Sequence, residues 1–328
     1  MSSRRCNVLL TFAGRKGYQY LVLRSSPRAG TIVAADADPA APIRVHGATL
    51  EVVPPVADPQ AYLAALEVCV RRHSIDGIIP LNDRDAVLLA THSAAFASLG
   101  ARYLGAEPEV AAALGDKLAA ADWLASRGFQ TPPTALAGDF PSTRSTAVAF
   151  PLVTKARHGQ GSERFRVVRT EAELFAVPEG DVVQPFLHGE HYDLDILRSA
   201  AGRVVAVVPK RKLEMQGGTA SLVRSDARQD LVDLGVRIGN AVRHVGMIDV
   251  DVIDAGGELH VLEVNPRLGG CFPFSCIVCP DLADALLAVG LGESPPDLVG
   301  RFRGGVTMFR EWRYHEVPGS EDTDSPTS

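Results

Sequence analysis

The stretch 246–270 (GMIDVDVIDAGGELHVLEVNPRLGG) leaves this chain few ways to fold. Two runs rich in β-branched residues, 247–253 and 258–264, flank Ala255-Gly256-Gly257, which predicts a hairpin. Side chains two apart on a strand share a face, so Asp249 goes with Asp251 and Glu263 with Asn265. Across a hairpin, partner numbers have a constant sum. Asp251 with Glu263 and Asp249 with Asn265 share one, and its midpoint, 257, falls in the turn. The four polar groups therefore cluster on one face, while Val250, Val252, Leu262 and Val264 make the other face apolar. Opposed carboxylates repel. A divalent cation relieves that, and two carboxylates with a carboxamide suit Mg²⁺, which bridges protein to phosphate. The competing reading is the exposed polar face of an ordinary hairpin.

The first hundred residues alternate short apolar runs with amphipathic segments. Strands are expected at 7–12, 31–36, 50–54 and 76–80, and helices at 18–25, 59–73 and 84–99. Such alternation implies βαβ units and a doubly wound parallel sheet, whose ligands sit at the carboxyl ends of the strands. One or two helices are expected over 109–127, a break at 128–133, and strands at 150–155, 165–168 and 181–185 with a short helix at 171–176. Antiparallel strands follow, HYDLDILRS and RVVAVVPKR, then a helix over 228–245, the hairpin, an apolar helix at 282–289 and a closing strand at 305–312. Residues 317–328 read as a disordered tail.

Composition narrows the function classes. A net charge of −6 provides no global basic field for nucleic acid or an anionic membrane. Apolar runs such as 285–292 fall far short of the roughly 18–20 residues that span a bilayer. Five Cys in 328 residues are not a disulfide scaffold, so the expected address is the cytoplasm. Of 33 basic residues only five are Lys: Lys16, Lys117, Lys155, Lys210 and Lys212. Lys is a compact, flexible point charge where Arg is a planar fork, so each survivor asks what Arg cannot do.

Two weaker signals accompany the hairpin. Lys155 ends a strand and precedes HGQGS, small residues that let backbone N–H groups approach phosphate, although the spacing is not that of a Walker loop and a plain turn is the competing reading. In QPFLHGE, Gln184 and the Pro185 break leave polar backbone for a heterocycle edge, and Glu190 suits two ribose hydroxyls. Cys271, Cys276 and Cys279 match part of an iron–sulfur spacing but lack a fourth Cys downstream, and read as buried small residues. His244 reads as helix surface. The turn Gly14-Arg15-Lys16-Gly17 lacks the G-x-G-x-x-G of a dinucleotide site. Asn82, Asp83 and Arg84 follow the fourth strand and stand at the cleft.

In this order the motifs Asp116-Lys117, PLVTK, HGQGS, QPFLHGEHYDLD, VVPKRK and LEVNPRLGG resemble the ATP-grasp superfamily, nearest to stand-alone proteins like carbamoyl-phosphate synthetase. The resemblance implies an α/β fold: a parallel-sheet pre-ATP-grasp domain (1–108), a small subdomain with an ATP lid (109–187) and a large subdomain with the Mg/ATP site (188–316). It implies ATP and Mg²⁺, with Mn²⁺ as a substitute. Lys117 and Lys155 would hold phosphates under a lid of His158, Gly159, Gly161 and Ser162; Gln184, Phe186 and Leu187 would line adenine and Glu190 the ribose. Asp251, Glu263 and Asn265 would bind metal. Arg267 would face the transferred phosphoryl group, and Lys210, Arg211 and Lys212 the γ-phosphate or substrate, with Gln216 where a further Arg is often seen. The implied activity is a ligase that joins a carboxylate to an amine through an acyl phosphate. Its partners are small molecules, with no nucleic acid and no membrane, and a homodimer is allowed. The alternatives are bicarbonate phosphorylation with carboxy or carbamoyl transfer, and an ATP-binding regulatory protein.

Overall fold

In the computed structural model, residues 4–139, 150–159, 163–311 and 313–316 are described. The chain opens with β1 (Cys6–Thr11), α1 (Gly17–Arg24), β2 (Ala29–Asp36), β3 (Thr49–Val52), α2 (Pro59–His73) and β4 (Gly77–Pro80). Then come α3 (Asp83–Thr91), α4 (Ser93–Ser98) and β5 (Arg102–Tyr103). The strands form a parallel sheet in the order β3-β2-β1-β4-β5. Val8, Leu9 and Leu10 are all fully buried because helices cover both faces, so β1 reads as a continuous apolar run rather than an alternating one. The helix expected over 84–99 is two helices that break at His92.

Next are α5 (Pro108–Leu114), α6 (Lys117–Ala125), β6 (Ala135–Leu136), β7 (Leu152–Lys155), β8 (Arg166–Val168), α7 (Glu171–Phe175) and β9 (Val182–Pro185). The last four strands make a small antiparallel sheet, β6-β9-β7-β8, over its own core of Leu152, Val168, Leu174, Val177 and Val183. The helices α5 and α6 do not join that core. Ala111, Leu114, Ala120 and Leu124 pack instead with residues of the parallel sheet and of the hairpin.

The remaining elements are β10 (Glu190–Arg198), β11 (Val204–Gln216), β12 (Thr219–Ser225), α8 (Gln229–Val242), β13 (Gly246–Ala255), β14 (Glu258–Asn265), α9 (Phe272–Val278), α10 (Leu282–Gly290) and β15 (Thr307–Phe309). They form a six-stranded antiparallel sheet in the order β14-β13-β10-β11-β12-β15. β12 (TASLVRS) escapes sequence reading because its alternation is weak, and the closing strand is only three residues long. α8 lies close on one face of the sheet; a Cβ on its Gly235 would meet Val207 Cγ1 at 2.4 Å. His244, just beyond α8, is fully buried rather than on the surface, with Nε2 3.3 Å from the carbonyl of Ile196. α10 is buried except at Asp284 and packs against β1, β4 and β13, so the parallel and six-stranded sheets share continuous cores. Among the described residues no single helix is long and apolar enough to cross a membrane. Cys271 and Cys279 are buried around α9 and Cys276 is half-buried; burial pushes the Cys279 thiol up to about 11. The expected tail lies outside the described residues.

Candidate functional site

The hairpin has the register that its arithmetic predicts: Asp251 opposite Glu263 and Asp249 opposite Asn265, around a turn whose Gly256 and Gly257 have φ of 70° and 96°. Beyond Asp251 the register slips by one, so Val252 faces Val261 and Leu262 leaves the core position expected for it. The other neighbour of β13 is β10, which no local pattern announces. It places Asp193 opposite Asp251 and Asp195 opposite Asp249, and β11 then places Lys210 opposite Asp193. One face of four adjacent strands thus reads Glu263, Asp251, Asp193, Lys210 in one row and Asn265, Asp249, Asp195 in the next.

Crowding acids on one face is tolerable only with cations among them. Lys210 lies beneath the cluster, with no exposed surface and Nζ 2.8 Å from Asp193 Oδ1 and 3.0 Å from Asp195 Oδ2. Burial opposes its charge, but Asp193 and Asp195 outweigh burial and hold its pKa above the ordinary lysine value. The Ser275 hydroxyl on α9 donates to Asp195 at 2.6 Å. The oxygens of Asp193, Asp195 and Asp249 converge within 4.8 Å, yet Lys210 already stands among them, so this trio is an ion network rather than the expected metal set. Burial, then Asp193, lifts the Asp249 carboxyl well above the usual range. The sequence reading missed Asp193 and Asp195; the period-2 D-x-D of HYDLDIL was the signal available for them.

The hairpin end of the first row is more open. Asp251 and Glu263 expose 29% and 26% of their side chains. In this structure Lys212 pairs with Asp251, and Lys117 Nζ lies 3.1 Å from Glu263 Oε1. Burial opposes ionisation of Glu263, but Lys117 and Lys155 outweigh it and its pKa is depressed. Burial lowers the Lys155 pKa, with Glu263 as the chief opposing charge. Two carboxylates and a carboxamide on adjacent strands, facing three lysines, are an oxygen donor set that fits Mg²⁺ and a polyphosphate.

Asp116 organises the small-sheet side. Its side chain caps α6 by accepting from Leu118 N and Ala119 N, and it takes the Arg157 guanidinium through Nε at 2.9 Å and Nη2 at 2.6 Å. Lys117 Nζ also donates to Gly159 O at 2.7 Å, so helix start and glycine loop are held together. His158 is exposed, with Nδ1 3.3 Å from Gly115 O. Gly161 and Ser162 lie outside the described residues. Gln184 is buried and donates from Nε2 to Thr134 Oγ1 at 2.8 Å. Phe186 and Leu187 are half-buried on the connection into β10.

Arg267 joins the first domain to the sheet. Its Nε lies 3.0 Å from Asp83 Oδ1 and its Nη1 2.9 Å from Asp249 Oδ2. The loop after it packs directly on the acids: a Cβ on Gly269 would come within 2.9 Å of Asp195 Oδ1. Two expected site residues point elsewhere. Glu190 and Arg211 lie on the α8 side of the sheet, where they pair at 2.8 Å and Tyr192 donates to Glu190 Oε2 at 2.9 Å. The strand-end residue on the acid face is His191. Partial desolvation, then Lys212, pulls its pKa below the ordinary imidazole value.

Comparison with known proteins agrees with this architecture. Residues 8–104 match the PylC-like N-terminal domain and residues 114–271 the ATP-grasp domain. The arginine-specific large chain of carbamoyl phosphate synthase from Geobacillus stearothermophilus is 22% identical over 207 residues, which is 56% of this chain. This chain spans only about a fifth of that relative's length, 20%. The biotin carboxylase domain of Hydrogenobacter thermophilus 2-oxoglutarate carboxylase, solved with MgADP, ADP and bicarbonate, superposes with a TM-score of 0.73 at 18% identity, over 93% of this chain and 74% of that one. N5-carboxyaminoimidazole synthetase from Staphylococcus aureus, complexed with ADP, gives 0.71 at 16% identity, over 90% and 80%. With the PylC-like and ATP-grasp matches laid end to end along the three sheets, the chain belongs to the ATP-grasp superfamily.

Proposed function

We propose that this protein is a Mg²⁺-ATP-dependent ligase that activates a small carboxylate as an acyl phosphate and joins it to an amine, releasing ADP and phosphate. The observation that carries the reading is the convergence of Asp251, Glu263 and Asn265 with Lys117, Lys155, Lys212 and Arg267 on one sheet face. A carboxylate is a poor electrophile until it has a leaving group. Attack of its oxygen on the γ-phosphorus of ATP forms the new P–O bond and breaks the bond to ADP. The amine then attacks the acyl carbon, expels phosphate and loses a proton.

Asp251, Glu263 and Asn265 would hold Mg²⁺, whose contribution is to offset charge on the phosphoryl oxygens. Lys117 and Lys155 hold the phosphates, and Arg267 stabilises the group in transfer, in a site where fixed charges act without solvent reorganisation. Lys212, released from Asp251, turns to the γ-phosphate. His158 and Gly159, beside the start of α6, stand on the phosphate side, where cover excludes the water that would hydrolyse the intermediate. Gln184, Phe186 and Leu187 line adenine, and His191 rather than Glu190 stands beside the ribose.

The test is ADP and phosphate release from ATP and Mg²⁺ across a panel of amino acids and small carboxylates. Amino-acid-dependent release supports the ligase. The second reading takes bicarbonate as the activated carboxylate and is favoured by the carboxylase among the structural neighbours; release driven by bicarbonate alone would establish it. Tight ATP binding with no ADP formation anywhere in the panel would replace both with a regulatory protein.

A further inference from the structure

The turn Gly14-Arg15-Lys16-Gly17, at the carboxyl end of β1, is not among the residues assigned above to the nucleotide. Lys16 is half-buried and, among the described residues, has no carboxylate within ion-pair reach. Its Nζ lies 6.0 Å from the centroid of the Tyr18 ring. A second cation approaches the same ring: Arg310 Cζ is 4.9 Å from it, and Arg310 likewise lacks a carboxylate partner among the described residues. Asp36, at the end of β2, is taken up by the amides of Gly14 at 2.8 Å and Asp38 at 3.1 Å. Two cations on one aromatic ring, neither with a carboxylate partner among the described residues, in a chain of net charge −6, are an electrostatic arrangement that an anion completes.

The position of this pair ties it to the reaction. Arg310 Nη2 donates to Gly270 O at 2.8 Å, and Gln19, next to Tyr18, donates from Nε2 to Gly269 O at 2.7 Å. Gly270 is three residues from Arg267, a separation of at most about 11 Å even in fully extended chain. The pair therefore flanks the loop that presents Arg267, on the side of the first domain.

We propose that Lys16 and Arg310, on Tyr18, form a subsite for a second oxyanion of the small-molecule substrate, a carboxylate or a phosphate, carried on the same molecule as the group that reacts at Arg267. This rests on the ligase reading. A substrate that bears such a group is anchored at one end while the other end is activated or attacks, and a neutral analogue of the same size is not.

The experiment compares acid and neutral members of matched pairs, glutamate against glutamine and O-phosphoserine against serine, for kcat/KM of ADP formation in the wild type and in Lys16→Glu. At least about a tenfold preference for the acid member is expected in one pair, and that pair identifies carboxylate or phosphate as the anion. The ratio should collapse towards one in Lys16→Glu. Because it is internal to each variant, it does not depend on the fraction folded. A wild-type ratio near one in both pairs, or a preference that survives Lys16→Glu, overturns the subsite. If none of the four compounds drives ADP formation, the ligase reading is judged separately by the full panel, and calorimetric titration of the same pairs into protein loaded with ADP and Mg²⁺ judges the subsite. There, binding of an acid member that is lost in Lys16→Glu supports it. Equal binding within both pairs, or none, overturns it.

Discussion

The two faces of the six-stranded sheet carry similar residues with opposite fates. On one, Asp193, Asp195, Asp249 and Lys210 are almost wholly withdrawn from solvent and meet Arg267 from the following loop. On the other, Glu190 and Arg211 pair at the rim, each with 43% of its side chain exposed, while the apolar residues between them and Arg198 pack under α8. Charge pairs at a solvated rim contribute little, because water serves each partner nearly as well. Buried pairs are the reverse: removing one partner strands the other in a medium of low polarity. Similar residue types on the same strands thus make a structural rim on one side and an electrostatically preorganised site on the other.

Removing the buried cation should break this contrast most sharply. Lys210→Met leaves Asp193 and Asp195 without their ammonium partner, and a stability loss of about 3–5 kcal/mol is expected by urea denaturation. Arg211→Met on the opposite face should lose less than about 1 kcal/mol. Equal losses would show that burial does not separate the faces. Glu263→Gln keeps the shape of a half-exposed side chain but removes a charge facing Lys117 and Lys155; ADP formation should fall about 10²–10³-fold with the thermal midpoint nearly unchanged. Turnover within twofold of wild type would remove Glu263 from the metal set.

The helix side holds a buried histidine of its own. Burial, then Arg198, holds the His244 imidazole down to about 3, against an ordinary value of 6.5. The unfolded chain therefore binds the extra proton first as pH falls. The stability that this group contributes is complete above about pH 6.5 and is lost towards pH 3, at up to about 1.4 kcal/mol per pH unit. Between pH 6 and 4.5, His244→Gln should show a correspondingly shallower fall in denaturation free energy. Parallel curves for the two proteins would mean that the imidazole is not held neutral. The smallest effect separates neighbours on β10: His191→Ala should raise the KM for ATP about tenfold, and Glu190→Gln by less than threefold. The opposite order would put the nucleotide on the α8 side.

Legibility followed sequence distance. The acids of the hairpin were readable because their partners lie within twenty residues and the period of two is local. Asp193 and Asp195 were not, because β10 enters the sheet beside β13 from more than fifty residues away. Glu190 is expected at the ribose and Arg211 at the γ-phosphate or substrate from residue type and motif, which carry no information on which face a strand-end side chain takes. His244 follows a helix in a polar stretch and reads as exposed; only the return of β10 beneath it closes the site around its ring.

The amino-acid sequence by itself determined the alternation that makes the parallel sheet, the hairpin and its register, since these depend on side-chain periodicity and turn residues a few positions apart. Only the tertiary structure decided which charges are buried. That outcome depends on strand order and on contacts between domains: Lys210 under Asp193, Asp83 against Arg267, Arg310 over Tyr18. Whether a charge becomes rim or site is decided by the medium around it, and that medium exists only once distant segments have packed together.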